Sequence, residues 1–447
     1  MKFRNVCTLT LVLVLSALTS VFAQQIFPPP VFSGVVRNSG FQNQLVSKPM
    51  FPALPVLGPG FIPVPIFHQR GFGQIQCVRQ VVCDMNKDGI AGEYAMMGYQ
   101  SEPFGQTNEG KTVTAYTLTN VNGLKAVILN FGGVLYSMET PDRSGKLGNI
   151  SANLATVAEY QRFRPYFGSL VGRYGNRIAR GKFTLDGVDY QVPVNDGVNA
   201  LHGGLAGFDQ RIWDAEPFMT DNGVGVKLTY SAKDGEEGYP GNLSVTVTYI
   251  LSNDNALTID YTAVTDKATP LNLTNHTFWN LGGAQSGSIL DHVLKLGASH
   301  YLPTDDGLIP TGEIASVEST PLDFRTPKPI GQDIARITDP WFRGGFDHCL
   351  VLDKPQEGGL SFCAFAVDPK SGRTMEIETT EPAVQFYSGN WLDGTTGIGG
   401  YKYEQHAAFC LEAQHYPDSP NHPAFPNTIL RPGETYRQTT VHKFGIQ

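Results

Sequence analysis

Charge is scarce in this chain: Asp, Glu, Lys and Arg make up 17% of its 447 residues. The formal charge is −8, and no basic run is long enough to follow a phosphate backbone. Nucleic acid is therefore excluded as a partner. Amphipathic helical periodicity is nearly missing, residues 154–162 being the best stretch, so helical bundles and alternating βα units are excluded. No internal repeat is visible, which removes solenoids and propellers. Past the N-terminus no apolar run reaches the length of a membrane-spanning helix. Cysteine is sparse, at six residues.

Glycine (49) and proline (30) are plentiful, as expected of a turn-rich β protein. At the N-terminus, Lys2 and Arg4 precede an apolar run over 9–18, and Val21-Phe22-Ala23 offers a small-residue cleavage site before Gln24. This predicts a secretory signal peptide over 1–23 and hence an exported protein, periplasmic or extracellular. Cys7 would leave with the leader. Among the remaining five, Cys77 and Cys83 are close enough to bridge in an oxidising compartment, while Cys349, Cys363 and Cys410 stand in apolar, strand-like contexts that suit buried thiols.

Residues 24–70 hold no Asp or Glu and many aperiodic prolines, which predicts a Pro/Gly-rich linker extending to about 107 and serving as a possible envelope or surface tether. Within it, Asp84, Asn86 and Asp88 with Gly89 match the start of a calcium loop over 84–93. The bidentate Glu belongs at position 95, where Ala95 stands, and Glu93 comes too early. Ca²⁺ and a solvated Asx-rich turn remain competing readings of that loop.

From about 108 strand signals take over. Leu243, Val245, Val247 and Tyr249 alternate with Ser244, Thr246 and Thr248, as do Leu257, Ile259 and Tyr261 with Thr258, Asp260 and Thr262. Asp186-Gly187 between two short apolar runs predicts a two-residue hairpin. The expected fold is all-β, one large antiparallel β-sandwich over 108–447.

Three stretches carry chemistry. One is Gly172-Arg173-Tyr174-Gly175-Asn176-Arg177, followed by Leu201-His202-Gly203-Gly204. The second is Thr274-Asn275-His276-Thr277-Phe278-Trp279, and the third is Phe409-Cys410-Leu411-Glu412-Ala413-Gln414, with Asp347-His348 and Gln385 upstream. A lone histidine between apolar neighbours is ordinarily a core residue, and Trp279 suits core packing better than a sugar platform. Glu412 is harder to dismiss, because a carboxylate with apolar flanks on both sides needs a reason to be buried.

These motifs, with Pro141-Asp142-Arg143, Glu237-Gly238-Tyr239-Pro240-Gly241, Phe346-Asp347-His348, Gln385-Phe386-Tyr387 and Leu430-Arg431-Pro432-Gly433-Glu434, occur in the order found in the aldose 1-epimerase (galactose mutarotase) family. The chain resembles that family over roughly residues 110–445. It departs from the family pattern at Phe278, often Tyr, and at Tyr174-Gly175, in some members Val-Ala. The resemblance implies a galactose mutarotase-like sandwich acting on free hexoses such as galactose or glucose, with no cofactor. It also implies that Glu412 is the base taking the C1 hydroxyl proton and His276 the acid protonating the ring oxygen. His202, Asn176, Arg177, Asp347 and Gln385 would bind the sugar, and Arg173 could be a structural ion-pair partner.

The chemistry agrees with those residue types. Opening a pyranose needs one proton removed from the anomeric hydroxyl and one delivered to the ring oxygen, by a base and an acid expected on opposite sides of the sugar. Two other functions compete. Epimerisation of a hexose 6-phosphate would need cations beyond Arg177, and a non-catalytic carbohydrate-binding surface would leave the acid–base pair without a use.

Overall fold

Strand alternation builds the frame, as the Leu243–Ser252 strand illustrates: buried residues at every odd position, exposed or half-buried ones between. In the computed structural model, residues 75–77 and 97–447 are described. The expected signal peptide, the loop of Asp84, Asn86 and Asp88, and Cys83, on which the expected pairing with Cys77 depends, lie outside the described residues. Part of the segment expected as linker is strand. Gly98–Gln106 pairs with Thr112–Thr119 across a bulge between Pro103 and Gly105, the two residues that hide its periodicity in the sequence.

The largest sheet has nine strands. Asp214–Thr220, Gly223–Ala232, Leu243–Ser252 and Ala256–Thr265 run as an antiparallel meander, and Ala256–Thr265 then pairs with the C-terminal Tyr436–Ile446. A six-stranded sheet includes Thr112–Thr119, Lys125–Leu129 and Leu135–Pro141. A five-stranded sheet ends in the order Asp347–Leu352, Ala383–Tyr387, Cys410–Gln414. One apolar core joins all three, with Leu118 and Ile128 from the second, Val247 and Ile259 from the first, and Leu350, Phe386 and Leu411 from the third. Each such side chain contributes roughly 1.5–3 kcal/mol by leaving water. Cys349, Cys363 and Cys410 are free thiols buried in the domain, as expected.

Asp186 and Gly187 both take positive φ (52° and 79°) and close the hairpin between Lys182–Leu185 and Val188–Gln191. The expected helix forms at Val157–Phe163 and is the one α-helix among the described residues. It starts after Leu154 because Thr156 and Glu159 make a reciprocal capping box, and it stops at Arg164, which turns left-handed. No helix of the described residues is long and apolar enough to cross a membrane.

Tyr249 links the large sheet to the strand carrying His276. Its hydroxyl donates to Gly133 O at 2.7 Å and accepts from Asn275 Nδ2 at 3.3 Å, and Asn275 also donates to Gly168 O. Tyr249→Phe orphans the buried Gly133 carbonyl and should cost about 1–2 kcal/mol. Thermal denaturation checks it; a variant as stable as the parent would show that the bond carries no net stability.

Candidate active site

The first wall of the site is a loop bent on itself. Asn176 (φ 61°) and His202 (φ 50°) are both left-handed, and they hold each other. His202 N–H donates to Asn176 O at 3.0 Å, and Asn176 N–H donates to His202 Nδ1 at 3.2 Å. Because Nδ1 accepts, the proton of neutral His202 sits on Nε2. The next residue, Gly203, has φ +87°, and a Cβ there would stand 2.0 Å from Gly172 O, so only glycine fits.

His276 ends the strand Thr274–His276, which pairs with Ser169–Val171, and Gly168 N–H donates to its carbonyl. Its ring stacks on Phe278 (5.0 Å, 14°) and on Tyr166 (5.8 Å, 19°), and meets His202 edge-on at 5.1 Å. Phe278 thus supports the imidazole through its ring face, a contact that needs no hydroxyl. Two contacts fix the ring's edges: Nδ1 lies 3.5 Å from Cys410 Sγ, and Nε2 lies 3.5 Å from Glu412 Oε1.

Glu412 comes from the edge of the five-stranded sheet. Its strand is buried at all five positions; Leu411 faces the core, whereas Cys410 and Glu412 share the other face. Gln385 stands directly across from Glu412 and donates from Nε2 to Asp347 Oδ1 at 2.6 Å. Glu412 Oε2 and Gln385 Oε1 are buried without a hydrogen-bond partner among the described residues. Buried acceptors of this kind call for donors, and substrate hydroxyls would supply them.

Burial dominates the electrostatics. It pushes the Glu412 carboxyl well above its usual range, helped by the Asp347 charge and opposed by Arg177. It pulls His276 down to about 4, and it pulls His202 well down, with His276, Arg177 and Arg164 adding to the effect. Burial also raises Asp347, against the pull of Arg177 and the Gln385 bond. Burial thus favours the uncharged forms of both imidazoles and of the Glu412 carboxyl.

The seven residues marked in the sequence therefore converge: Asn176, Arg177, His202, His276, Asp347, Gln385 and Glu412. Two others join them unannounced. Asp196 binds Arg177 Nε at 2.8 Å, though in sequence it sits in Asn195-Asp196-Gly197, which looks like a plain turn. Tyr166, left-handed at φ 60°, touches both imidazoles. Its phenol is held protonated by a pKa raised to about 12 through burial. Arg164, gripped by Asp209 at 3.0 and 2.9 Å, lies 5.3 Å over the Tyr166 ring.

Two candidates are structural. Among the described residues Arg173 has no ion-pair partner; its guanidinium donates to Pro240 O, Gly241 O and Thr269 Oγ1 and lies over the Tyr239 ring. Trp279 packs against His442 and Phe444 in the core. By spacing alone, His202, His276 and Glu412 could surround a cation, since their ligand atoms lie within 4.8 Å of one another. Yet His202 Nε2 carries its proton inward as a donor, which suits an oxygen atom and not a metal.

A buried carboxylate and imidazole in contact, ringed by amides, a second carboxylate and a fixed N–H donor, is the equipment of an enzyme that moves protons between oxygens of a hydroxyl-rich substrate. Known proteins agree. Residues 114–443 match the aldose 1-epimerase family. Galactose mutarotase from Rattus norvegicus is 42% identical over 344 residues, covering 77% of this chain and 97% of its own. Aldose 1-epimerase from Escherichia coli (strain K12) is 37% identical over 339 residues, covering 75% and 96%. Among solved structures, a GalM/aldose epimerase homologue from C. elegans has a TM-score of 0.68 at 31% identity, covering 74% of this chain and 98% of its own. The chain belongs to the aldose 1-epimerase family, and its fold is the galactose mutarotase-like sandwich.

Gly203→Ala tests the tight loop. The added Cβ meets backbone on one side and a left-handed conformation on the other, so the variant should lose at least ~2 kcal/mol. Denaturant unfolding measures this, and an unchanged midpoint would contradict the close approach to Gly172.

Proposed function

We propose that this chain is a mutarotase interconverting the α and β anomers of free hexoses such as galactose or glucose, with Glu412 as base and His276 as acid. The observation that carries the reading is the 3.5 Å approach of His276 Nε2 to Glu412 Oε1 inside a buried pocket. In the reactive form Glu412 is a carboxylate and His276 an imidazolium. Glu412 takes the proton of the C1 hydroxyl, the C1 carbonyl forms, and the C1–O5 bond breaks with its electron pair going to O5. His276 delivers its Nε2 proton to O5. After rotation about C1–C2 each transfer reverses and the ring closes on the other anomer. No electron is gained or lost, so no redox group is called for.

The two groups stand side by side, not on opposite sides of the sugar as the sequence led us to expect. The reason is chemical: the hydroxyl oxygen and the ring oxygen are bonded to the same carbon, so adjacent groups reach both. His202 Nε2–H donates to the reacting oxygens. Asp347, Asn176, Arg177 and Gln385 bind the remaining hydroxyls. A phosphorylated sugar fits poorly, because Arg177 and Arg164 are each already paired with a carboxylate. A non-catalytic carbohydrate-binding role would leave the costly burial of Glu412 without purpose. The N-terminal pattern supports export, the Pro-rich segment a surface tether, and the spacing of Asp84, Asn86 and Asp88 a Ca²⁺-binding turn.

Polarimetry on fresh α-D-galactose or α-D-glucose tests the reaction. Wild-type protein should speed mutarotation above buffer, and Glu412→Gln or His276→Ala should each lower kcat roughly 10²–10⁴-fold. If no common aldose is accelerated, the reading is wrong.

The pH profile tests the shared proton. The working pair holds one proton, so kcat/KM should stay level through pH 6.5, the ordinary value of a histidine. On acidification it should fall only toward about 4, where a second proton enters the pair at His276. On the alkaline side it should fall as the last proton leaves, above the usual carboxylate range. Activity lost with a single ionisation as pH rises through 6–7 would instead mark His276 as an isolated acid.

A further inference from the structure

The outer nitrogens of the two imidazoles have different partners, one that can only donate and one that can also accept. On His202 the partner of Nδ1 is the Asn176 backbone N–H, which only donates. On His276 the partner of Nδ1 is the Cys410 sulfur, which accepts weakly as well as donating. Cys410 is fully buried, and burial, with the Glu412 and Asp347 charges, pushes its thiol well above the usual range. The sulfur therefore stays uncharged.

We propose that Asn176 and Cys410 lock the two imidazoles in opposite tautomers, His202 as a permanent Nε2–H donor and His276 as an Nδ1–H ring whose Nε2 alone carries the shuttled proton. This deepens the mutarotase reading and rests on it for the direction of the transfer. When His276 is imidazolium, both nitrogens bear hydrogen and Nδ1–H points at sulfur. When Nε2 has given its proton to O5, Nδ1–H keeps its place, and the Nε2 lone pair faces the newly protonated Glu412 and the open-chain hydroxyl, ready to take the proton back. A ring free to turn, or one protonated at Nε2 only, could not run the step in both directions. An uncharged acceptor at Nδ1 also has an electrostatic merit: a carboxylate there would stabilise the imidazolium and make it reluctant to release its proton. Cys410 is thus a positioning residue, acting on the sugar through His276.

The tautomers are read directly by long-range ¹H–¹⁵N NMR of the ¹⁵N-histidine-labelled protein at neutral pH, without substrate. The expected result is Nε2–H for His202 and Nδ1–H for His276, assigned with His202→Gln and His276→Gln. Either ring in the other tautomer overturns the proposal, whether or not the protein proves to be a mutarotase. Kinetics supply the second arm. Cys410→Ala should lower kcat on the order of tenfold with KM nearly unchanged, a thiol being a weaker partner than the carboxylate of a hydrolase triad. Cys410→Ser restores an acceptor and should recover most of that loss. Equal kcat in Ala and wild type, or a loss in Ala that Ser leaves uncorrected at matched melting temperature, would refute the role of the sulfur.

Discussion

The constraint on which the rest of the site depends is that a carboxyl and an imidazole are buried in contact, where neither can be charged alone. Together they can, because one proton serves both. With the proton on His276 the pair is an ion pair of no net charge; with it on Glu412 the pair is neutral. In the proposed reaction, ring opening carries the site from the first arrangement to the second, one proton arriving at the carboxylate as another leaves the imidazole. Ring closure carries it back. In that scheme the pocket keeps its net charge through turnover, so burial, which would oppose a lone acid or base, leaves the exchange free to run in either direction.

That exchange works only if the two atoms stay a fixed distance apart, and the fold supplies the rigidity. Glu412 sits on a strand buried on both faces, with Gln385 and Asp347 on successive neighbours of the same sheet. His276 ends a three-residue strand that is tied at its carbonyl and flanked by two aromatic rings. Sites built on regular elements hold their geometry better than sites on loops. The exception is the Asn176–His202 turn, whose left-handed residues cost backbone energy. Their mutual hydrogen bonds and the glycine that follows hold the strain in place.

Much of this was visible in the sequence, because alternation and turn chemistry are local. The strands at 243–252 and 256–265, the Asp186-Gly187 hairpin and the capped helix follow from a few residues each. The chemistry-bearing side chains stood out by residue type, since a carboxylate with apolar flanks is conspicuous. What stayed hidden depends on partners distant in the chain. Asp196 looked like a turn residue because Arg177, its partner, is 19 positions away. Tyr166 gave no signal, its role arising from a left-handed bend just past the helix that turns it toward two histidines. Cys410 was legible as a buried thiol but not as a neighbour of His276, 134 residues upstream. The width of the site was misjudged for a related reason: spacing along a chain says nothing of whether two groups face each other or stand abreast.

The surroundings of the pair also explain why its proton is free to move. Apart from Glu412, every contact on the His276 ring is uncharged: Cys410 sulfur, the Phe278 and Tyr166 rings, and neutral His202. Of the charges nearby, Arg177 is paired with Asp196 and Arg164 with Asp209, while the Asp347 charge acts on Glu412 and Cys410. A fixed charge pressed against the imidazole would hold its proton on or drive it off, and the ring would favour one direction of the reaction. Uncharged walls leave Glu412 and the sugar oxygens as the groups that decide where the proton lies. A reaction whose substrate and product differ only in the configuration at one carbon requires that balance, since the same groups must serve as well in reverse.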